Sequence, residues 1–75
     1  MRKPMYERLN VRRLKSDMIL YGDTQEDLAS YLGISPSTLS HKMGGYQCFT
    51  LDQMDRIRTR YDMSPEEFVD VFFHE

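Results

Sequence analysis

The 75-residue sequence predicts an all-α domain of five short helices. Three observations lead there: apolar residues recur at three- and four-residue spacing, a serine or threonine heads four such stretches, and no stretch alternates as a strand does. Short helices in succession make contacts that are local in sequence, so the domain is expected to fold fast.

The first helix is expected over residues 10–21, where Leu14, Met18 and Ile19 form an inward stripe that Val11 extends by a turn. Thr24 is a good N-cap for the second, over residues 25–32, and Asp27 at N3 suits the positive end of the helix dipole. Leu28, Ala29 and Leu32 gather on one stripe, leaving Glu26, Asp27 and Ser30 in water. Gly33 can take the left-handed conformation that ends a helix, and Ile34 is placed to plug the corner. Ser35 and Pro36 then restart a helix as N-cap and N1, since proline has no N–H to lose there. This third helix is expected over residues 36–43, with Leu39 and Met43 inward, Thr38 at the edge, and Ser37, Ser40, His41 and Lys42 outside. Two helices joined by so tight a turn are the outline of a helix-turn-helix.

Residues 46–49 read as loop, and Thr50 with Gln53 forms a capping-box pattern for a fourth helix over residues 51–61. Its inner face would be Leu51, Met54, Ile57 and Tyr61. Ser64, Pro65 and Glu67 repeat the start signal for a fifth helix reaching residue 73, which would bury Phe68, Val69 and Phe72. Adjacent Phe72 and Phe73 point about 100° apart on a helix and cannot both face one small core. The one left over is either a homodimer contact or part of a frayed last turn.

A chain of this length allows a single domain, residues 1–75, with 1–9 expected as a flexible basic segment and no room for a sensing or oligomerisation module. No apolar run approaches about 18 residues and no signal peptide pattern appears, so a cytoplasmic protein off the membrane is expected. Cys48 is the one cysteine, which excludes an internal disulfide. The six methionines, with Met18, Met43 and Met54 at core positions, read as gap fillers.

The formal charge of −2 and a pI near 5.6 weigh against phosphate binding. The distribution weighs the other way. Arg2, Lys3, Arg8, Arg12, Arg13 and Lys15 crowd the first fifteen residues against Glu7 alone, while the last fifteen carry only acids, from Asp62 to Glu75. The basic segment either faces phosphates beside the motif or is a solvated charged face.

The segment 24–45 resembles the helix-turn-helix of phage repressor and Cro-type transcriptional regulators, including small prophage-encoded members. The marks are Gln25 opening the first motif helix, Leu28-Ala29 within it, Gly33 in the turn, Ser35 capping the second, Leu39 inside it and Gly44-Gly45 after it. A looser resemblance extends over residues 14–68, through FTLDQM and SPEEF. The resemblance implies a compact lambda-repressor-like domain, a double-stranded DNA operator as partner, a homodimer at least on DNA, and no cofactor. A two-fold pair matches palindromic half-sites about 34–36 Å apart.

By the same resemblance, base contacts fall to Pro36, Ser37, Ser40 and His41. His41 can donate to guanine N7 or O6, or else is simply solvated. Phosphate contacts fall to Thr24 and Gln25, at a helix N-terminus whose free N–H groups favour an anion. Gly44, Gly45, Tyr46 and Gln47 would offer loop N–H groups and side-chain donors, unless Tyr46 just packs. Lys42 would reach bases or phosphates, with Arg13 and Lys15 as outlying phosphate neighbours. His41, Cys48 and His74 lack the paired spacing of a metal site, and no serine, histidine and acid have a nucleophile context, so no metal and no enzyme is expected. The competing class is a protein-interaction module on the same fold, an anti-repressor or antitoxin-like partner. Its motive is the acidic balance and an arginine-free third helix.

Overall fold

The computed structural model describes residues 8–75. Five helices follow one another: α1 (Val11–Leu20), α2 (Gln25–Leu32), α3 (Pro36–Met43), α4 (Leu51–Arg60) and α5 (Pro65–Phe72), with no strand among the described residues. Each starts on a side-chain cap. The Thr24 hydroxyl accepts the Asp27 N–H at 3.1 Å and the Asp27 carboxylate accepts the Thr24 N–H at 2.9 Å, so Asp27 closes a full capping box. Thr50 and Gln53 do the same, as their spacing predicts. Ser35 and Ser64 cap α3 and α5 ahead of a proline. Asn10, expected inside the first helix, is instead its cap and accepts the Arg13 N–H.

Four helices also end alike. At each end one residue takes a positive φ: Gly22 at 72°, Gly33 at 73°, Gly45 at 86° and Asp62 at 47°. Its N–H bonds to the carbonyl three residues back, and the following N–H bonds to the carbonyl five back, as from Ile34 to Ala29 and from Met63 to Arg58, both at 3.0 Å. These are Schellman turns, and the fourth is made without glycine. A left-handed backbone costs an L-residue roughly 1–2 kcal/mol, less for aspartate, while glycine adds entropy to the unfolded chain. Asp62→Gly is therefore expected to stabilise the domain by about 0.5 kcal/mol, seen as a higher urea midpoint at unchanged slope. A lower midpoint would mean that unfolded-state entropy outweighs the relieved backbone.

The core is shared by all five helices: Leu14 and Met18, Leu28, Ala29 and Leu32, Leu39 and Met43, Met54, Ile57 and Tyr61 are buried as their spacing predicts. Three residues depart from it. Ile19 is 80% exposed, because Leu14 and Met18 fix the inward direction of α1 and Ile19 lies about 100° beyond Met18. Leu51 is 76% exposed, since side chains tilt toward a helix N-terminus and the first residue of α4 points past the core. Val69 is also mostly exposed; the stripe of α5 runs through Phe68, Val71 and Phe72 instead. Phe49, in the loop before α4, is buried with its ring edge-on to Phe72 at 5.8 Å.

α1 and α5 lie side by side in opposite directions. The Asn10 N–H donates to the Val71 carbonyl at 2.7 Å and the His74 N–H to the Arg8 carbonyl at 2.9 Å. Arg8 and Leu9 are thus held, Leu9 against the core, while the rest of the expected flexible segment lies outside the described residues. Phe72, expected as a dimer contact, is only 3% exposed and belongs to the protein's own core. Phe73 is half-buried under the Arg8 guanidinium, 5.4 Å from its ring centre. No helix among the described residues is long and apolar enough to cross a membrane.

Candidate nucleic-acid interface

Leu39 and Met43 anchor the inner side of α3, and α2 packs against it more extensively than any other helix does. The Ser35 and Thr38 hydroxyls bond to each other at 2.9 Å and tighten its first turn. Pro36, Ser37, Ser40 and His41 are left together on the open side. The four expected base contacts therefore share one exposed face of an anchored helix.

Lys42 is not among them. It is 8% exposed, its Nζ donates to the Cys48 carbonyl at 2.8 Å, and it lies 5.9 Å from the centre of the Phe49 ring. At i+3 from Leu39 its stem runs along the inner flank of α3, and the returning chain supplies an acceptor for the ammonium. Lys42 staples the end of α3 to the following loop, and the expectation of a base or phosphate contact there is corrected.

The loop glycines need the same correction. The Gly44, Gly45 and Tyr46 N–H groups all donate into the end of α3, to the carbonyls of Ser40, Lys42 and His41 at 2.9, 3.2 and 2.9 Å. None is available to cradle a phosphate. What the loop still offers is side chains: the Tyr46 phenol, 84% exposed, and the exposed Gln47 amide. The Tyr46 ring stays in solvent, and its ring contact is with the exposed His41.

At the other end of the motif, the box formed by Thr24 and Asp27 occupies the Thr24 and Asp27 N–H groups. The first N–H groups of a helix, here those of Gln25 and Glu26, have no intrahelical partner and remain directed outward. The Thr24 hydroxyl keeps its own proton to donate, and Gln25 is exposed beside it. The Glu26 and Asp27 carboxylates share this turn and oppose an anion by charge.

Gln25 also lines an open cleft of about 370 Å³ with Val11, Lys15, Ser40, Met43 and Gly44. Three elements meet there: the outer flank of α1, the start of α2 and the end of α3. The cation in the cleft is Lys15. Arg13, the expected phosphate contact, lies on the opposite flank of α1, paired with Asp70 at 3.3 Å and Glu67 at 3.8 Å. The wheel of α1 carries the signal, since Arg13 and Asp17 share one flank and Lys15 the other. Choosing between the flanks requires knowing which one α5 covers.

The arginines of α4 are engaged as well. Arg56 pairs weakly with Asp52 and donates to the Tyr31 carbonyl, Arg58 pairs with Asp55, and Arg60 with Asp23. Arg12 and Lys15, both exposed, pair with no acid among the described residues. Among the described residues, positive charge free for a polyanion thus sits on α1, where Lys15 lines the cleft that ends at α3. His41, Cys48 and His74 form no metal-binding group among the described residues, and His74 Nδ1 lies 3.0 Å from Asp70 on the seam between α1 and α5.

A helix-turn-helix family model matches residues 14–68, from Leu14 in α1 to Phe68 in α5. No curated protein and no solved structure matches the chain. The match covers most of the chain, with the whole motif and α4 inside it, so the chain belongs to the helix-turn-helix family of DNA-binding regulators.

Proposed function

We propose that this protein is a sequence-specific operator-binding regulator of the Cro and repressor type, of phage or prophage origin. It lays α3 in the major groove with Ser37, Ser40 and His41 toward base edges and Pro36 against a thymine methyl or the groove wall. Thr24 and Gln25 hold one phosphate at the start of α2, Lys15 neutralises charge beside them, and Gln47 with the Tyr46 hydroxyl holds another. Two copies occupy a palindromic pair of half-sites, each reading one. The observation that carries this reading is that Ser40, on the exposed face of α3, lines one cleft with Lys15 and Gln25.

A protein-interaction role, as an anti-repressor or antitoxin-like partner, is favoured by one feature, the Glu26 and Asp27 carboxylates beside the phosphate position. Titration into labelled random-sequence duplex separates the two. With Arg12 and Lys15, the two unpaired cations on α1, meeting phosphates on both copies, about four phosphates are neutralised in all, and affinity is expected to fall roughly 100-fold between 50 and 200 mM salt. Absence of binding at micromolar protein in low salt would favour the protein partner. On an operator selected from a random pool, Gln25→Ala should weaken binding to all sequences alike, and His41→Ala should flatten the preference at one position.

A further inference from the structure

We infer that Tyr46 is a positioning residue for His41 and that the two rings act as one recognition unit on DNA, an inference that rests on the operator-binding reading above. Their rings are in edge contact, with centroids 6.1 Å apart and planes at 68°. This contact is not left to chance by the backbone. His41 and Tyr46 hold the two positions that a Schellman turn brings together, and the Tyr46 N–H closes the turn on the His41 carbonyl at 2.9 Å. Gly45 supplies the required positive φ of 86°. A Cβ on Gly44 would press on the Ser40 carbonyl oxygen at 3.2 Å, while the Tyr46 ring would stand at an ordinary contact distance of 3.4 Å.

The position usually carries an apolar contact that seals the helix end. Ile34 fills it after α2, and there it packs against the core. Tyr46 fills it after α3 and remains 84% exposed, so the fold gains little from burying the ring. Instead the phenol flanks the outer face of α3, beside the side chain best suited to donate to a guanine edge. An exposed histidine samples several rotamers, and ordering it on DNA opposes binding. A ring against the imidazole narrows that choice before DNA arrives. The phenol hydroxyl is then placed to donate to the phosphate flanking the base that His41 reads.

The test is a double-mutant cycle on duplex enriched from a random pool with the wild-type protein. His41→Ala is expected to reduce discrimination at its base pair roughly 5- to 10-fold. Tyr46→Ala should reduce it to a similar extent, and the double variant should lose little more than either single one. Tyr46→Phe keeps the ring and should retain discrimination at that base pair while weakening overall affinity. In the free protein, Tyr46→Ala should shift the His41 ring-proton resonances through the lost ring current. Additive effects, a Tyr46→Phe variant that discriminates as poorly as Tyr46→Ala, or unmoved His41 resonances would each overturn the inference while leaving operator binding intact. Failure of the wild-type protein to enrich any duplex would overturn both.

Discussion

Replacing Asp23 with alanine is expected to destabilise the domain by about 3 kcal/mol, a fall of roughly 12–24 °C in Tm for a chain of this size. Asp23 sits in the turn between α1 and α2, its side chain 8% exposed, and both carboxylate oxygens are bonded. Arg60 donates to them through Nε at 2.6 Å and Nη2 at 2.8 Å, and the Tyr61 hydroxyl donates at 2.7 Å. The Arg60 guanidinium in turn covers the Tyr31 ring, 4.6 Å from its centre. One carboxylate therefore ties the α1–α2 turn to the end of α4 and, through Tyr31, to α2. The Arg60 hydrogen bond holds the Asp23 carboxyl below the usual carboxylate range, helped by the Tyr61 hydroxyl. Burial, then the bond to Asp23, raises the Tyr61 phenol. Truncation strands a partly buried cation and leaves the hydroxyl of a 2%-exposed tyrosine without its acceptor.

Two controls separate charge from packing. Asp23→Asn keeps the shape and one acceptor and should cost roughly half as much, while Tyr61→Phe loses a single hydrogen bond and should cost about 1 kcal/mol. An Asp23→Ala loss below about 0.5 kcal/mol would mean that this network is a surface ion pair in effect. The consequence for DNA binding is indirect. Asp23 immediately precedes the Thr24 cap, so its loss frees the start of α2, where Gln25 would hold a phosphate.

Most helix boundaries were legible because caps are written within four residues: Thr24 and Asp27, Ser35 and Pro36, Thr50 and Gln53, Ser64 and Pro65. Gly33 was equally plain, for glycine is the residue that takes its φ at no cost. The Asp62 turn was hidden because aspartate carries no such mark. What the sequence leaves open in the candidate site depends on which flank of a helix another element covers. Arg13 and Lys15 are two residues apart in the same helix, and only the packing of α5 decides that the first meets Glu67 and Asp70 while the second borders the cleft. Lys42 reads as a surface cation until the loop returns the Cys48 carbonyl to it. Gly44 and Gly45 are ambiguous in principle, since glycine pairs serve both phosphate cradles and helix caps, and here the cap takes their N–H groups. Val69 and Val71 differ by two positions on a helix, enough to exchange the core for solvent.

The seam between α1 and α5 makes stability depend on pH in an unusual direction. Asp17 Oδ2 is buried and meets no N–H or O–H donor among the described residues. Its neighbour across the seam is the Glu67 carboxyl, another acceptor, so the two can bond only while they share a proton. Burial raises the Asp17 pKa most, followed by the hydrogen bond and the charge of Glu67, against partial relief from Arg13, and it reaches about 6. Arg13 is divided between Glu67 and Asp70, and Asp70 also bonds Asn10 and His74, so no cation is left to neutralise Asp17 alone. An acid whose pKa is higher in the folded state binds its proton more tightly there. The resulting stabilisation is complete below the ordinary carboxylate pKa and is lost as pH rises from about 4 through about 6. Asp23, with its lowered pKa, acts in the opposite sense and in a lower window, losing its contribution as pH falls below the ordinary value. Stability should therefore peak in mildly acidic solution and decline by about 1–2 kcal/mol toward neutrality. Asp17→Asn supplies a permanent donor to Glu67 and removes the repulsion between ionised carboxylates. It should match the wild type near pH 4.5 and exceed it by about 1–2 kcal/mol at pH 7.5 in urea unfolding. A wild-type stability that stays level between pH 5 and 7, or a variant that loses stability across the same range, would show that Asp17 and Glu67 share no proton.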